Sequence, residues 1–91
     1  MKTIAMKLVS GEELIGRSVS ETATLTTISH ARTMGLQQDQ QGRYGVGMMD
    51  YILANKDCEI SISKDKIITM YEPAVEVEKA YLSQTSGIQL S

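Results

Sequence analysis

Ile4, Met6 and Leu8 alternate with Ala5, Lys7 and Val9, the period-two pattern of a β-strand. Ser10-Gly11-Glu12-Glu13 follows as a turn signal, with Gly11 free to take a positive φ. Leu14 to Val19 resumes extended character. Gly16 inside that run weakens a strand, so it marks a sharp bend or a close backbone approach. Glu21-Thr22 is a short break, and residues 24–36 form a Thr-rich strand suited to a pleated surface. Gln37 to Gly42 is the most polar stretch and tips a long hairpin. On the returning arm, Tyr44, Val46, Met48 and Ile52 face one way, and Gly45, Gly47, Met49, Tyr51 and Leu53 the other. Asn55-Lys56-Asp57 breaks the pattern again. Ile60 and Ile62 alternate with serines, Lys64-Asp65-Lys66 makes a tight turn, and Ile67 to Tyr71 is the last strand. The short separation of these two strands predicts that they are antiparallel neighbours.

Glu72-Pro73 changes the regime. Pro suits the first position of a helix, and Glu72, Glu76 and Glu78 suit its N-terminal end. Ala74, Val77 and Tyr81 share a face at spacings of three and four. Val75 to Glu78 also alternates as a strand would, but the start signals favour a helix over about 74–83, with a flexible tail over 84–91. The expected fold is mainly β. It is one domain over residues 1–91, with strands within about 4–71 forming a strongly bent five-stranded antiparallel sheet or small open barrel, and a short C-terminal helix.

Composition sharpens this picture. The 91 residues contain no Phe and no Trp, four Tyr and six Met, so the core is built from light aliphatic side chains. A chain of this length buries only about 60–65% of its unfolded surface, which makes self-association an early expectation. The net charge is −2. Residues 1–45 carry +1 and residues 46–91 carry −3, so the second half is the poorer place for a polyanion. One Cys makes no internal disulfide and agrees with a reducing cytosol. The longest apolar runs are about four residues against the roughly 20 of a membrane helix. The start of the chain, with Lys2 and Lys7, does not read as a signal peptide.

No constellation of catalytic groups emerges. His30 is the sole His and has no Cys or carboxylate cluster beside it in sequence, so it reads as a structural strand residue and not a metal ligand. Cys58 lies between Asp57 and Glu59, with no adjacent cation to lower its pKa, and reads as inert. Ser61 to Lys64 matches SxxK in letters alone, on a strand and without the companion elements of that chemistry. Gly42 to Gly47 has the wrong order for a phosphate-binding loop and reads as a hairpin arm. Glu12 and Glu13 are adjacent on a turn and point apart. An enzyme is therefore not expected, and neither a cofactor nor a metal.

Lys7 to Val19, with Gly11 and Gly16 five residues apart, resembles the first motif of Sm and Sm-like proteins. Ile60 to Ile68, two apolar strands around a tight loop, resembles the second. "SGEELIG" early and "IITMYEP" late look closest to a group of Sm-like proteins ascribed to cyanophages in marine metagenomes, over roughly residues 4–82. The family's helix precedes its first strand, whereas here the helix candidate follows the last. The resemblance implies a bent five-stranded sheet whose two edges pair with neighbouring copies. It implies a closed homo-oligomeric ring of about five to seven subunits in the cytoplasm of a host cell, with no membrane partner. It further implies single-stranded RNA as a ligand. Relatives hold a base with an Asp and an Asn after the second strand and an Arg-Gly in the late loop. Thr22 and Thr26 stand where the acid and amide would fall, and Ser63-Lys64-Asp65 replaces the Arg-Gly. The resemblance thus makes Thr26, Lys64 and Thr22 the candidate RNA contacts. The alternative is a structural ring that has lost RNA binding and docks a protein partner.

Overall fold

The structure is a computed structural model and describes residues 2–85. Six strands precede one helix: β1 (Thr3–Leu8), β2 (Glu13–Glu21), β3 (Leu25–Gln38), β4 (Tyr44–Asp50), β5 (Glu59–Ser63) and β6 (Ile67–Tyr71), then α1 (Val75–Thr85). The period-two pattern is therefore realised as strands and the segment after Pro73 as a helix. Thr85 is helical, two residues beyond the expected end, while the expected tail from residue 86 onward lies outside the described residues.

All pairings are antiparallel, in the order β4-β3-β2-β1-β6. β5 also pairs with β3, along its first half, while β4 pairs with its second half. β4 and β5 thus lie end to end beside one long strand, and the sheet is five strands wide. The eight residues 51–58 between them stand opposite only His30 and Ala31. The alternation expected through Leu53 stops at Asp50 for that reason.

One expectation is corrected. β5 and β6 are not paired with each other: β5 joins β3, and β6 joins β1. The turn between them is a single 3-10 turn, Lys64–Lys66, which acts as a corner and not as a hairpin. It carries the chain from one margin of the curled sheet to the other.

The curl is visible in the core. Met6, Leu8, Leu14, Ile28 and Ala31 form its buried centre. Ile60 and Ile62 pack on it from one margin of the sheet, and Ile67 and Met70 from the other. Two sheet ends that share one cluster require strong bending, yet among the described residues no ladder joins them, so the barrel stays open.

Gly16 explains part of the bend. The β2–β3 register shifts between Ile15↔Arg32 and Arg17↔Ser29, which places Gly16 opposite a bulge at His30 and Ala31. His30 takes φ 54°, and a Cβ on Gly16 would lie 2.9 Å from Ile28 Cδ1 and 3.1 Å from the Ser29 carbonyl. Gly11 turns the chain from β1 into β2 at φ 106°, as its turn reading requires.

The second face of the sheet carries Thr3, Ala5, Ile15 and Arg17, residues paired across β1 and β2. α1 covers part of it. Tyr81 is fully buried there, and its hydroxyl donates to the His30 carbonyl at 2.8 Å. Arg17 Nη2 donates to Thr85 Oγ1 at 2.9 Å.

Candidate functional site

The turn after β2 and the corner after β5 meet at one end of the sheet. Thr22 N–H donates to the Leu25 carbonyl at 2.8 Å, closing the first turn. The Thr22 hydroxyl oxygen accepts from the N–H groups of Thr24 and Leu25 at 3.3 and 3.0 Å, the side-chain turn that short hydroxyl residues favour. The Lys64 N–H then donates to the Thr24 carbonyl at 2.8 Å and ties the corner to the turn. Ser63 Oγ donates to Asp65 Oδ1 at 2.7 Å, and a hydroxyl pair, Thr27 and Ser61, joins β3 to β5 at 2.8 Å.

The structure therefore brings Thr22 and Lys64 together. Thr26 is placed elsewhere. It pairs with Ile62 in the ladder, is 2% exposed, and its hydroxyl lies 3.8 Å from Met70 Sδ in the interior. The period of two decides this: Thr26 shares its face with Ile28, and that face is the core. Thr26 is not available to a ligand at the surface of the protomer.

Lys64 is also engaged. Its Nζ lies 2.9 Å from Glu21 Oε2, with both side chains partly exposed. Glu21 and Asp65 balance Lys64 and Lys66, so this loop end is close to neutral. Thr22, Thr24 and Ser63 add hydroxyls to the same turn and corner, a group that can hydrogen-bond a base edge or a phosphate. Among the described residues, no group of three or more His, Cys, Asp or Glu could hold a metal ion. No described helix is long and apolar enough to cross a membrane.

A second polar cluster has no counterpart in the sequence reading. Arg32 is 4% exposed. Its Nε lies 3.0 Å from Asp50 Oδ1 and its Nη2 3.2 Å from Asp57 Oδ1. Its Nη1 donates to the carbonyls of Ala31 and Lys56 at 3.1 and 2.9 Å. The fork of a guanidinium thus clamps both ends of the 51–58 loop to β3. The signal was an Arg inside a strand pattern, with two acids bracketing the run where alternation fails.

His30 sits beside this clamp. Its Nδ1 is 3.0 Å from Ser29 Oγ, and its Nε2 is 3.9 Å from Asp57 Oδ1. Burial pushes the His30 pKa below 6.5, and the charge of Arg17 lowers it further, against an opposing pull from Asp57. The hydrogen bond from Arg32 holds the Asp57 carboxyl below its ordinary value. Cys58 is part-buried, with its N–H donating to the Asn55 carbonyl in the same loop.

No protein-family model matches the chain, and neither does any curated protein sequence.

Proposed function

We propose that the chain is a non-enzymatic, Sm-like protein that closes into a homo-oligomeric ring and presents the Thr22–Lys64 loop end to single-stranded RNA. The observation that carries this reading is the open barrel. Among the described residues, β6 has a free edge on one side of the sheet, and β4 with β5 has a free edge on the other. A free edge offers unpaired N–H and C=O groups to another chain. Two different edges on one protomer favour a head-to-tail contact, and such contacts close into rings when the rotation allows. The five-strand width, the Gly16 bend and the early-motif glycines support the Sm-like assignment.

RNA is the ligand class that suits repeated hydroxyls and one Lys per subunit around an axis. The Glu21 partner of Lys64 and the burial of Thr26 favour a second reading, a ring that docks a protein and binds no RNA. Two measurements decide. The solution mass at micromolar concentration should be a multiple of the single chain, and a monomer overturns the ring. Short uridine-rich and adenosine-rich RNA should bind at low salt and lose affinity along a straight log–log slope as salt rises. No binding at low salt leaves the protein-docking ring.

A further inference from the structure

β5 faces the end of β1 and the start of β6 across the opening of the barrel, with no ladder between them among the described residues. That opening holds a cleft of about 550 Å³. Small-molecule sites commonly measure about 300–1,000 Å³, and the mouth of a β-barrel is a favoured place for them. The cleft reaches the core, because Leu8 belongs to the central cluster and Tyr51, Ile60 and Ile62 pack on it. Its walls are held from outside. The Tyr51 N–H donates to the Ala31 carbonyl at 3.1 Å, and Arg32 ties down both ends of the 51–58 loop. On the other side the Val9 N–H donates to the Lys66 carbonyl at 2.9 Å, which fixes the corner beside β1.

One charged side chain lines this apolar cleft. Lys66 is exposed, and among the described residues no carboxylate lies within ion-pair distance of its ammonium. Its neighbours in the corner are engaged, Lys64 with Glu21 and Asp65 with the Ser63 hydroxyl. The two lining hydroxyls are engaged as well: Ser10 donates to the Glu12 carboxylate, and Ser61 pairs with Thr27. Apolar walls that run into the core, with a single cation left over, complement a molecule with an apolar tail and one negative head. We propose that the barrel opening binds a medium-chain fatty carboxylate, its alkyl tail against Leu8, Tyr51, Ile60 and Ile62 and its head paired with Lys66. The tail adds apolar mass to a core that has no Phe and no Trp. The inference stands apart from the RNA reading, since neither Thr22 nor Lys64 lines the cleft.

The test is isothermal titration calorimetry of the full chain with octanoate, decanoate and dodecanoate below their micelle concentrations. Binding should saturate, and each added CH₂ should tighten it by about fourfold until the cleft is full. Lys66→Ala should weaken decanoate by about threefold to fivefold, Lys66→Arg should retain it, and decanol should bind Lys66→Ala and the wild type alike. Val9→Asp, at a position 57% exposed, sets a carboxylate beside Lys66 and should remove decanoate binding while the far-ultraviolet circular dichroism spectrum stays unchanged. Inorganic phosphate, a head without a tail, should not bind here. An absence of saturable decanoate binding overturns the inference, and so does an affinity unaffected by Lys66→Ala. Affinity that falls as protein concentration rises gives the cleft to a second copy of the chain and overturns it too.

Discussion

The Tyr81 hydroxyl and the His30 carbonyl, 51 positions apart in the chain, meet in a 2.8 Å hydrogen bond. His30 belongs to the bulge opposite Gly16 and has no place in the β2–β3 register. A bulge leaves backbone groups without a ladder partner, and a buried carbonyl without a donor is costly. α1 supplies the donor for His30. The 51–58 loop does the same for the next residue, since Tyr51 N–H donates to the Ala31 carbonyl at 3.1 Å. The helix and the loop are thus fixed to the sheet at the point where the sheet is irregular.

Tyr81→Phe should separate this hydrogen bond from packing. It keeps the ring in place but leaves the His30 carbonyl without its Tyr81 donor, so it should destabilise by about 1–2 kcal/mol. Tyr81→Ala also empties a fully buried site and should cost about 3–5 kcal/mol. Urea unfolding curves give both numbers, and equal losses in the two variants would show that the hydroxyl carries the whole effect.

Gly16→Ala tests the close approach at the bend. The new Cβ would meet the buried Ile28 side chain at 2.9 Å and a backbone carbonyl at 3.1 Å, and the backbone cannot rotate away. A loss of about 1–3 kcal/mol is expected. Gly35→Ala is the control. It lies in β3 with nothing within 4 Å of a Cβ and should be neutral or stabilising by up to about 1 kcal/mol. Denaturation midpoints of the two variants should therefore move apart.

The strands and the helix were legible because they rest on local patterns: the period of two through β1 and β3, and Pro73 with its acidic neighbours before α1. Gly16 was legible because a glycine inside a strand is anomalous by itself. The pairing of β5 and β6 was not. A three-residue link suggests a hairpin, but the choice between hairpin and corner depends on which distant strand has an open edge. The exposure of Thr26 was misjudged for a different reason. Its alignment to a family position said nothing of the face it takes, whereas its spacing from Ile28 did. Arg32 was missed because its partners, Asp50 and Asp57, come together only when the 51–58 loop folds over the bulge.

Stability should fall on mild acidification, with His30 contributing to the loss. Burial and Arg17 hold its pKa in the folded state below the 6.5 of an unhindered His. The unfolded chain therefore takes up the proton first. The stabilising contribution is complete above pH 6.5 and is lost as pH falls through the lowered folded value. Urea midpoints at pH 7.5 should exceed those at pH 5.5, and the difference should shrink in His30→Asn, which tolerates the positive φ. A further loss is expected at lower pH, where Asp57, held below 3.8 by Arg32, at last takes up a proton. A pH dependence unchanged in His30→Asn would assign the acid sensitivity elsewhere.

Tyr71 should resist ionisation. Burial, the hydrogen bond to Glu13 and the Glu13 charge push its pKa from 10.0 to about 12. Absorbance at the phenolate band should show it ionising late, with Tyr81 also above its ordinary value because of burial. Glu13→Gln removes the charge and should bring Tyr71 down, leaving the part due to burial and to a hydrogen bond that the amide oxygen still accepts. Because the folded pKa is raised, this contribution to stability is whole below pH 10 and is lost as pH rises toward 12.

The Lys64–Glu21 ion pair gives the sharpest division between the two readings of the ring. At 2.9 Å between partly exposed groups it contributes little to stability, so either residue can be changed without loss of the fold. If RNA phosphates approach this loop end, Glu21 competes with them for the same ammonium. Glu21→Gln should then tighten RNA binding, and Lys64→Ala should weaken it and flatten the salt dependence, with each phosphate contact contributing a slope of about −0.7 on single strands. Thr26→Val should leave RNA affinity unchanged, because its hydroxyl faces Met70 and the interior. Electrophoretic mobility or fluorescence anisotropy at several salt concentrations measures all three. Opposite shifts in Glu21→Gln and Lys64→Ala place RNA at this end of the subunit. Identical, shallow salt slopes in both variants and the wild type remove RNA from the site and leave the loop end as a closed electrostatic latch between β2 and the β5–β6 corner.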